Sequence, residues 1–259
     1  MWISNFTCLN DRKIHWVLGK SEDNRAKDLP VLLFVHGVAS KAGHWMYTAE
    51  RLLKNYDILI IDRPGYGKSE GKLCKSIEEC ADLIIEWLHS IVIDQPIIYI
   101  GHSLGGAIGL ASTLKYPNAF DALVLVSSFA RFKTSTTLIS EEGYYDSERI
   151  RVGFSKNTSK SIVDSFVNDV QGSDIKAVEA DFLLCDGLDF RDELHNINLP
   201  TLIIAAIEDQ VVTKRQAECL KNGLNNSKLI IALNAGHNVL IEQPRDLAHN
   251  IDSFINETF

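Results

Sequence analysis

The 259-residue chain predicts an α/β fold: a mostly parallel sheet flanked by helices, with a helical segment inserted between two halves of that sheet. Three observations predict it. Short runs such as Val31-Leu32-Leu33-Phe34-Val35 and Ile58-Leu59-Ile60-Ile61 are continuously apolar rather than alternating, as in strands buried on both faces. These runs take turns with stretches of helical spacing, the pattern of parallel strands joined by crossover helices. The rhythm stops after Ser128 and resumes at Pro200.

Taken in order, residues 2–8 and 13–18 flank Asn10-Asp11 and read as an opening hairpin. A polar loop leads to Pro30 and the first buried strand, 31–35. Residues 42–54 have helical spacing, 58–61 form the next strand, and 76–92 a helix. Ser76 is its expected N-cap, with Glu79 completing a capping box. Strand 97–100, helix 104–115 and strand 122–126 repeat the cycle. Residues 131–196 hold no long apolar run but carry Phe132, Tyr144, Tyr145, Phe154, Phe166, Phe182 and Phe190. Strand 201–205, a helix near 214–223, strand 228–233 and a helix from 244 to 256 close the chain. Residues 1–130 and 197–259 thus form one core, and 131–196 an insertion into it.

Composition excludes several function classes. The net charge of −8 and the lack of a Lys/Arg cluster argue against a nucleic-acid partner. Five scattered cysteines without a C-x-x-C pair make a disulfide framework or structural zinc unexpected and fit reduced thiols in a cytoplasm. The first residues lack a basic region followed by a sustained apolar one. No run approaches the roughly 18 apolar residues of a membrane span.

Gly101-His102-Ser103-Leu104-Gly105-Gly106 lies between a predicted strand and a predicted helix. G-x-S-x-G needs that setting. The serine sits on a sharp, strained turn that lifts its hydroxyl clear of the sheet, and glycines let the flanking backbones approach. The helix N-terminus favours the negative charge that develops there. A hydroxyl needs a base, and the base an orienting acid. Asp209 follows strand 201–205, at the sheet edge where such folds keep their chemistry, with Glu208 beside it as a rival. His237, after strand 228–233, completes the order Ser, Asp, His. His102 adjoins the serine on the strand side and is expected to point away from it. Two backbone N–H groups should meet the oxyanion. Leu104 follows the nucleophile, and Val38 lies in the loop His36-Gly37-Val38-Ala39, where Gly37 permits a tight turn.

Together with Asp62-Arg63-Pro64-Gly65-Tyr66-Gly67-Lys68-Ser69 and with Glu242 and Pro244 after Gly236-His237, these motifs make the chain resemble the α/β-hydrolase superfamily, in its serine esterase and lipase-like branch. The resemblance implies an eight-stranded, mostly parallel sheet with a helical cap inserted after the sixth strand. It also implies an oxyanion hole of Val38 and Leu104. The loop after His36 has one glycine, unlike the His-Gly-Gly-Gly esterases. The expected function is hydrolysis of a small carboxylic ester through an acyl-enzyme, with Ser103, Asp209 and His237 as triad and no metal or organic cofactor. Lactone, thioester or carbon–carbon bond hydrolysis and perhydrolysis use the same parts, and a ligand receptor of this fold is the reading of another class. Residues 131–196 carry 8 Lys and Arg against 13 Asp and Glu, which disfavours docking of an acidic carrier protein. Ser103 stands where dehalogenases and epoxide hydrolases carry an aspartate.

Overall fold

A computed structural model of the chain describes residues 1–23, 26, 28–133, 138–139, 143 and 145–259. Among these residues the sheet has nine strands: β1 (Trp2–Leu9), β2 (Arg12–Gly19), β3 (Val31–Val35), β4 (Ile58–Ile61), β5 (Glu70–Gly71), β6 (Ile97–His102), β7 (Ala122–Val126), β8 (Thr201–Ala206) and β9 (Ser227–Ala232). Eight run in the order β1-β2-β4-β3-β6-β7-β8-β9, and two-residue β5 pairs with β2. The β1–β2 and β2–β4 pairs are antiparallel. From β4 to β9 every pair is parallel. The strand too many for the expected eight is β5, which is too short to leave an apolar run.

The helices are α1 (Ala42–Leu52), α2 (Ile77–Ser90), α3 (Leu104–Lys115), α4 (Ser147–Arg151), α5 (Lys160–Gln171), α6 (Ile175–Cys185), α7 (Lys214–Gly223), α8 (Val239–Glu242) and α9 (Pro244–Thr258). The continuous apolar runs have a direct cause. Successive strand side chains point to opposite faces, and both faces are covered. Leu33, Leu125 and Ile203 pack with α2, α3 and α7 on one side. Leu32, Phe34, Ile60 and Ile204 pack with Trp45, Leu52, Ile251 and Phe254 of α1 and α9 on the other.

Between β7 and β8 lie α4, α5, α6 and a 3-10 turn at Leu194–Asn196. Ile150, Phe154, Val163, Val167, Ala177 and Val178 from this stretch form a third apolar cluster with Ala39 and Tyr66. A buried ion pair also fastens it to the sheet. Arg63 Nη1 and Nη2 donate to the two carboxylate oxygens of Asp181 at 2.9 and 2.5 Å.

The start of α2 differs from expectation. Ser76 does accept from the Glu79 N–H at 3.1 Å. The Glu79 carboxylate, however, accepts from the Lys75 N–H at 2.8 Å and pairs with Arg12 of β2, so no capping box closes there. One carboxylate oxygen reaches past the Ser76 N–H to that of Lys75, and the other is drawn to the Arg12 guanidinium, a charged and stronger partner. The complete capping box is at α7, between Thr213 and Gln216.

Candidate active site

The turn between β6 and α3 puts Ser103 at φ 53° and ψ −121°, a left-handed conformation a non-glycine residue rarely adopts. Its N–H donates to the Val126 carbonyl at 2.9 Å, and its own carbonyl accepts from Ser128 Oγ at 2.8 Å. The glycines around it permit close packing. A Cβ on Gly105 would lie 2.3 Å from the Val35 carbonyl oxygen, and one on Gly37 2.9 Å from Ser103 Cβ. Gly37 is therefore needed for approach rather than for a turn. The left-handed residue of that loop is Ala39, at φ 51°.

Asp209 follows β8, and its Oδ1 accepts from the N–H groups of Val211 and Val212, both at 2.8 Å. Its Oδ2 lies 2.9 Å from His237 Nδ1. A carboxylate only accepts, so Nδ1 carries the hydrogen and Nε2 keeps a free lone pair. Burial pushes the Asp209 carboxyl up, but His237 and the two N–H groups more than offset this and hold it below the usual range. Glu208 turns elsewhere and accepts from Ser155 Oγ at 2.9 Å. The structure thus brings Asp209, not Glu208, to the histidine.

Ser103 and His237 line one cavity together with Val38, Phe129, Phe132, Phe166 and Phe182. Most of the remaining lining is apolar; Ser40, Arg149 and Asn238 are among the polar side chains. The Ser103 hydroxyl makes no hydrogen bond among the described residues. At the head of α3 the Gly106 and Ala107 N–H groups close on the Ser103 carbonyl. The Leu104 N–H, at the first helical position, has no backbone partner among the described residues, and neither has that of Val38. Of the aromatics singled out between residues 131 and 196, Phe154 stacks on Phe166 and Phe190 is buried in the core. The Tyr145 hydroxyl donates to the Ser173 carbonyl, and Tyr144 lies outside the described residues.

His102 corrects an expectation. It lines the cavity, and its Nε2 donates to the His237 carbonyl at 2.9 Å, with the two rings 4.8 Å apart. The reason is crossover geometry: the loop after β9 folds back over the end of β6. Three further positions escaped the sequence. Glu242 accepts from the Gly236 N–H at 2.9 Å and from the Ser155 N–H at 2.8 Å, tying the His237 loop to the inserted stretch. Asn238 donates to the Gly153 carbonyl beside it. Arg63 donates to the carbonyls of His36 and Gly37 at 3.1 and 2.9 Å, bracing the loop that carries Val38. Glu242 and Arg63 stood in recognised motifs, but spacing alone assigns them no partner.

Among the described residues no cluster of three or more His, Cys, Asp or Glu is arranged to hold a metal ion. None of the described helices is long and apolar enough to cross a membrane.

A model of the alpha/beta hydrolase fold family matches residues 30–161. The chain belongs to that α/β-hydrolase family. Uncharacterized hydrolase YugF of Bacillus subtilis (strain 168) is similar at 28% identity over 86% of this chain and 89% of its own. A pimeloyl-[acyl-carrier protein] methyl ester esterase of Vibrio vulnificus (strain YJ016) is similar at 24% identity, over 87% and 94%. Among solved structures, a thermophilic esterase from Thermogutta terrifontis superposes with a TM-score of 0.81 at 18% identity, covering 100% of this chain and 99% of that one. At that identity the likeness speaks for the fold.

Proposed function

We propose that this protein is a serine hydrolase that cleaves a small carboxylic ester through an acyl-enzyme, with Ser103 as nucleophile, His237 as base and Asp209 as the orienting acid. The coarse activity, hydrolysis at ester bonds, rests on membership of the family and on relatives named as hydrolases and esterases. The finer reading rests on one observation. His237, held by a 2.9 Å hydrogen bond to Asp209, lines the same cavity as the strained Ser103.

In this mechanism His237 Nε2 takes the Ser103 proton as Oγ attacks the carbonyl carbon. Asp209 stabilises the imidazolium, and the Val38 and Leu104 N–H groups meet the oxyanion. The alcohol leaves with the proton from His237. Water, deprotonated by the same imidazole, then releases the acid. Residues 131–196 act as a cap over this site, and Phe132, Phe166 and Phe182 supply an apolar pocket for the acyl or alcohol group. A mostly apolar lining with a few polar groups suits a small molecule. The excess of Asp and Glu over Lys and Arg in that stretch favours a free ester over one borne by an acidic carrier. The cysteines, all free thiols, support a reducing, cytoplasmic setting.

The test is Ser103→Ala. It should abolish turnover of short-chain aryl esters and labelling by a fluorophosphonate, with an unchanged circular dichroism spectrum. Labelling that persists at another active-site residue would sink the assignment.

A further inference from the structure

Ser40 is one of the few polar side chains lining the cavity beside Ser103, and the mechanism leaves it unused. Its Oγ lies 2.9 Å from His44 Nδ1. His44 Nε2 lies 3.1 Å from Asp169 Oδ2, and the other Asp169 oxygen lies 2.9 Å from Lys41 Nζ. The His44 ring also stacks on Phe166, centroids 4.8 Å apart, which holds its orientation. Ser40 and His44 are both 5% exposed. The array therefore spans the loop before α1, α1 itself and α5.

The donor set decides what Ser40 presents to a ligand. The Asp169 carboxylate only accepts, so in the neutral ring Nε2 carries the hydrogen and Nδ1 accepts. The Ser40 O–H is then spent on Nδ1, and Ser40 Oγ offers the cavity lone pairs alone. Ser40 stands two residues beyond Val38 and lines the same cavity as Val38 and Ser103, so those lone pairs face the space a substrate would enter. A substrate hydroxyl brought into an apolar cavity loses its water and needs an acceptor there.

We infer that Ser40, held as a hydrogen-bond acceptor by His44 and Asp169, selects esters that carry a hydroxyl or amide N–H next to the scissile carbonyl. This selectivity rests on the reading of Ser103 as the nucleophile of an ester hydrolase.

The experiment compares kcat/KM for two matched pairs: each enantiomer of methyl mandelate against methyl phenylacetate, and methyl 3-hydroxybutyrate against methyl butyrate. Calorimetry measures the affinity of the same esters for the Ser103→Ala protein. The wild type should favour the hydroxy member of at least one pair by about five- to tenfold, the worth of one neutral hydrogen bond. In Ser40→Ala and, independently, in His44→Phe, that ratio should fall close to one, the loss falling on the hydroxy ester. A wild type indifferent within both pairs, or a ratio that survives in either folded variant, overturns the assignment. The two readings fail differently. Undiminished turnover by Ser103→Ala would remove the nucleophile, while the affinity ratio in that protein, with and without Ser40→Ala, still reads the acceptor.

Discussion

Ser103, at φ 53°, occupies a backbone region that costs on the order of 1–3 kcal/mol. It is held there by the Val126 carbonyl, the Ser128 hydroxyl and close glycine contacts. Asp209 and Glu208 are neighbours in sequence with different fates, and kinetics separates them. Asp209→Asn should lower kcat on an aryl ester by about 10⁴-fold, as loss of the orienting carboxylate does elsewhere. Glu208→Gln, which touches Ser155 rather than His237, should leave activity within about an order of magnitude. If the two effects are reversed, the acid of the proposed triad is misassigned.

Two buried histidines make a pH prediction at the same scale. Burial, followed by Arg63 for His36 and by His237 for His102, pushes both down to about 3 from the ordinary 6.5. Between those values the unfolded chain binds a proton at each and the folded chain does not. Stability therefore rises with pH across that window and is lost as pH falls from 6.5 towards 3. The lowered carboxyls of Asp62 and Asp209 add a loss in the same direction below their unfolded value of 3.8. Urea midpoints should fall steadily below pH 6.5, and His102→Gln should flatten that fall. A midpoint independent of pH between 6.5 and 4 would refute it.

At the scale of elements, the legible parts were those written into the local pattern. Strands β3, β4 and β7 and helices α3 and α7 run where the apolar spacing put them, because burial on both sheet faces acts on every residue of the run. Glu79 was not legible, since its partner Arg12 lies on a strand far away in sequence. The Arg63–Asp181 pair is of the same kind, joining the end of β4 to α6. Removing one member strands a buried charge. Asp181→Ala should cost about 3–5 kcal/mol of stability, read by chemical denaturation. It should also lower kcat/KM, because Arg63 braces the Val38 loop. Gly105→Ala tests the elbow: with Val35 backbone where the new methyl must go, it should destabilise by about 1–3 kcal/mol or more, whereas Gly187→Ala meets nothing within 4 Å and is opposed only by its positive φ.

For the whole molecule, the proposed specificity lies in the cavity that Ser103 shares with Phe132, Phe166 and Phe182. Phe182 lines that cavity from α6. Phe182→Ala should move the preferred substrate toward longer acyl chains in a p-nitrophenyl ester series from acetate to decanoate. An unchanged chain-length profile would show that the acyl group lies elsewhere. The sequence by itself determined the α/β class, the alternation of the longer strands and helices outside residues 131–196, and the candidates Ser103, Asp209, His237, Val38 and Leu104, because strand periodicity and turn chemistry are local and each candidate follows a strand end. Only the tertiary structure decided that Asp209 rather than Glu208 meets His237, that His102 turns into the site, and that Phe132, Phe166 and Phe182 face a cavity while Phe154 and Phe190 pack. Those outcomes depend on which distant segments converge at the sheet edge, and contacts between remote residues leave no period in the chain.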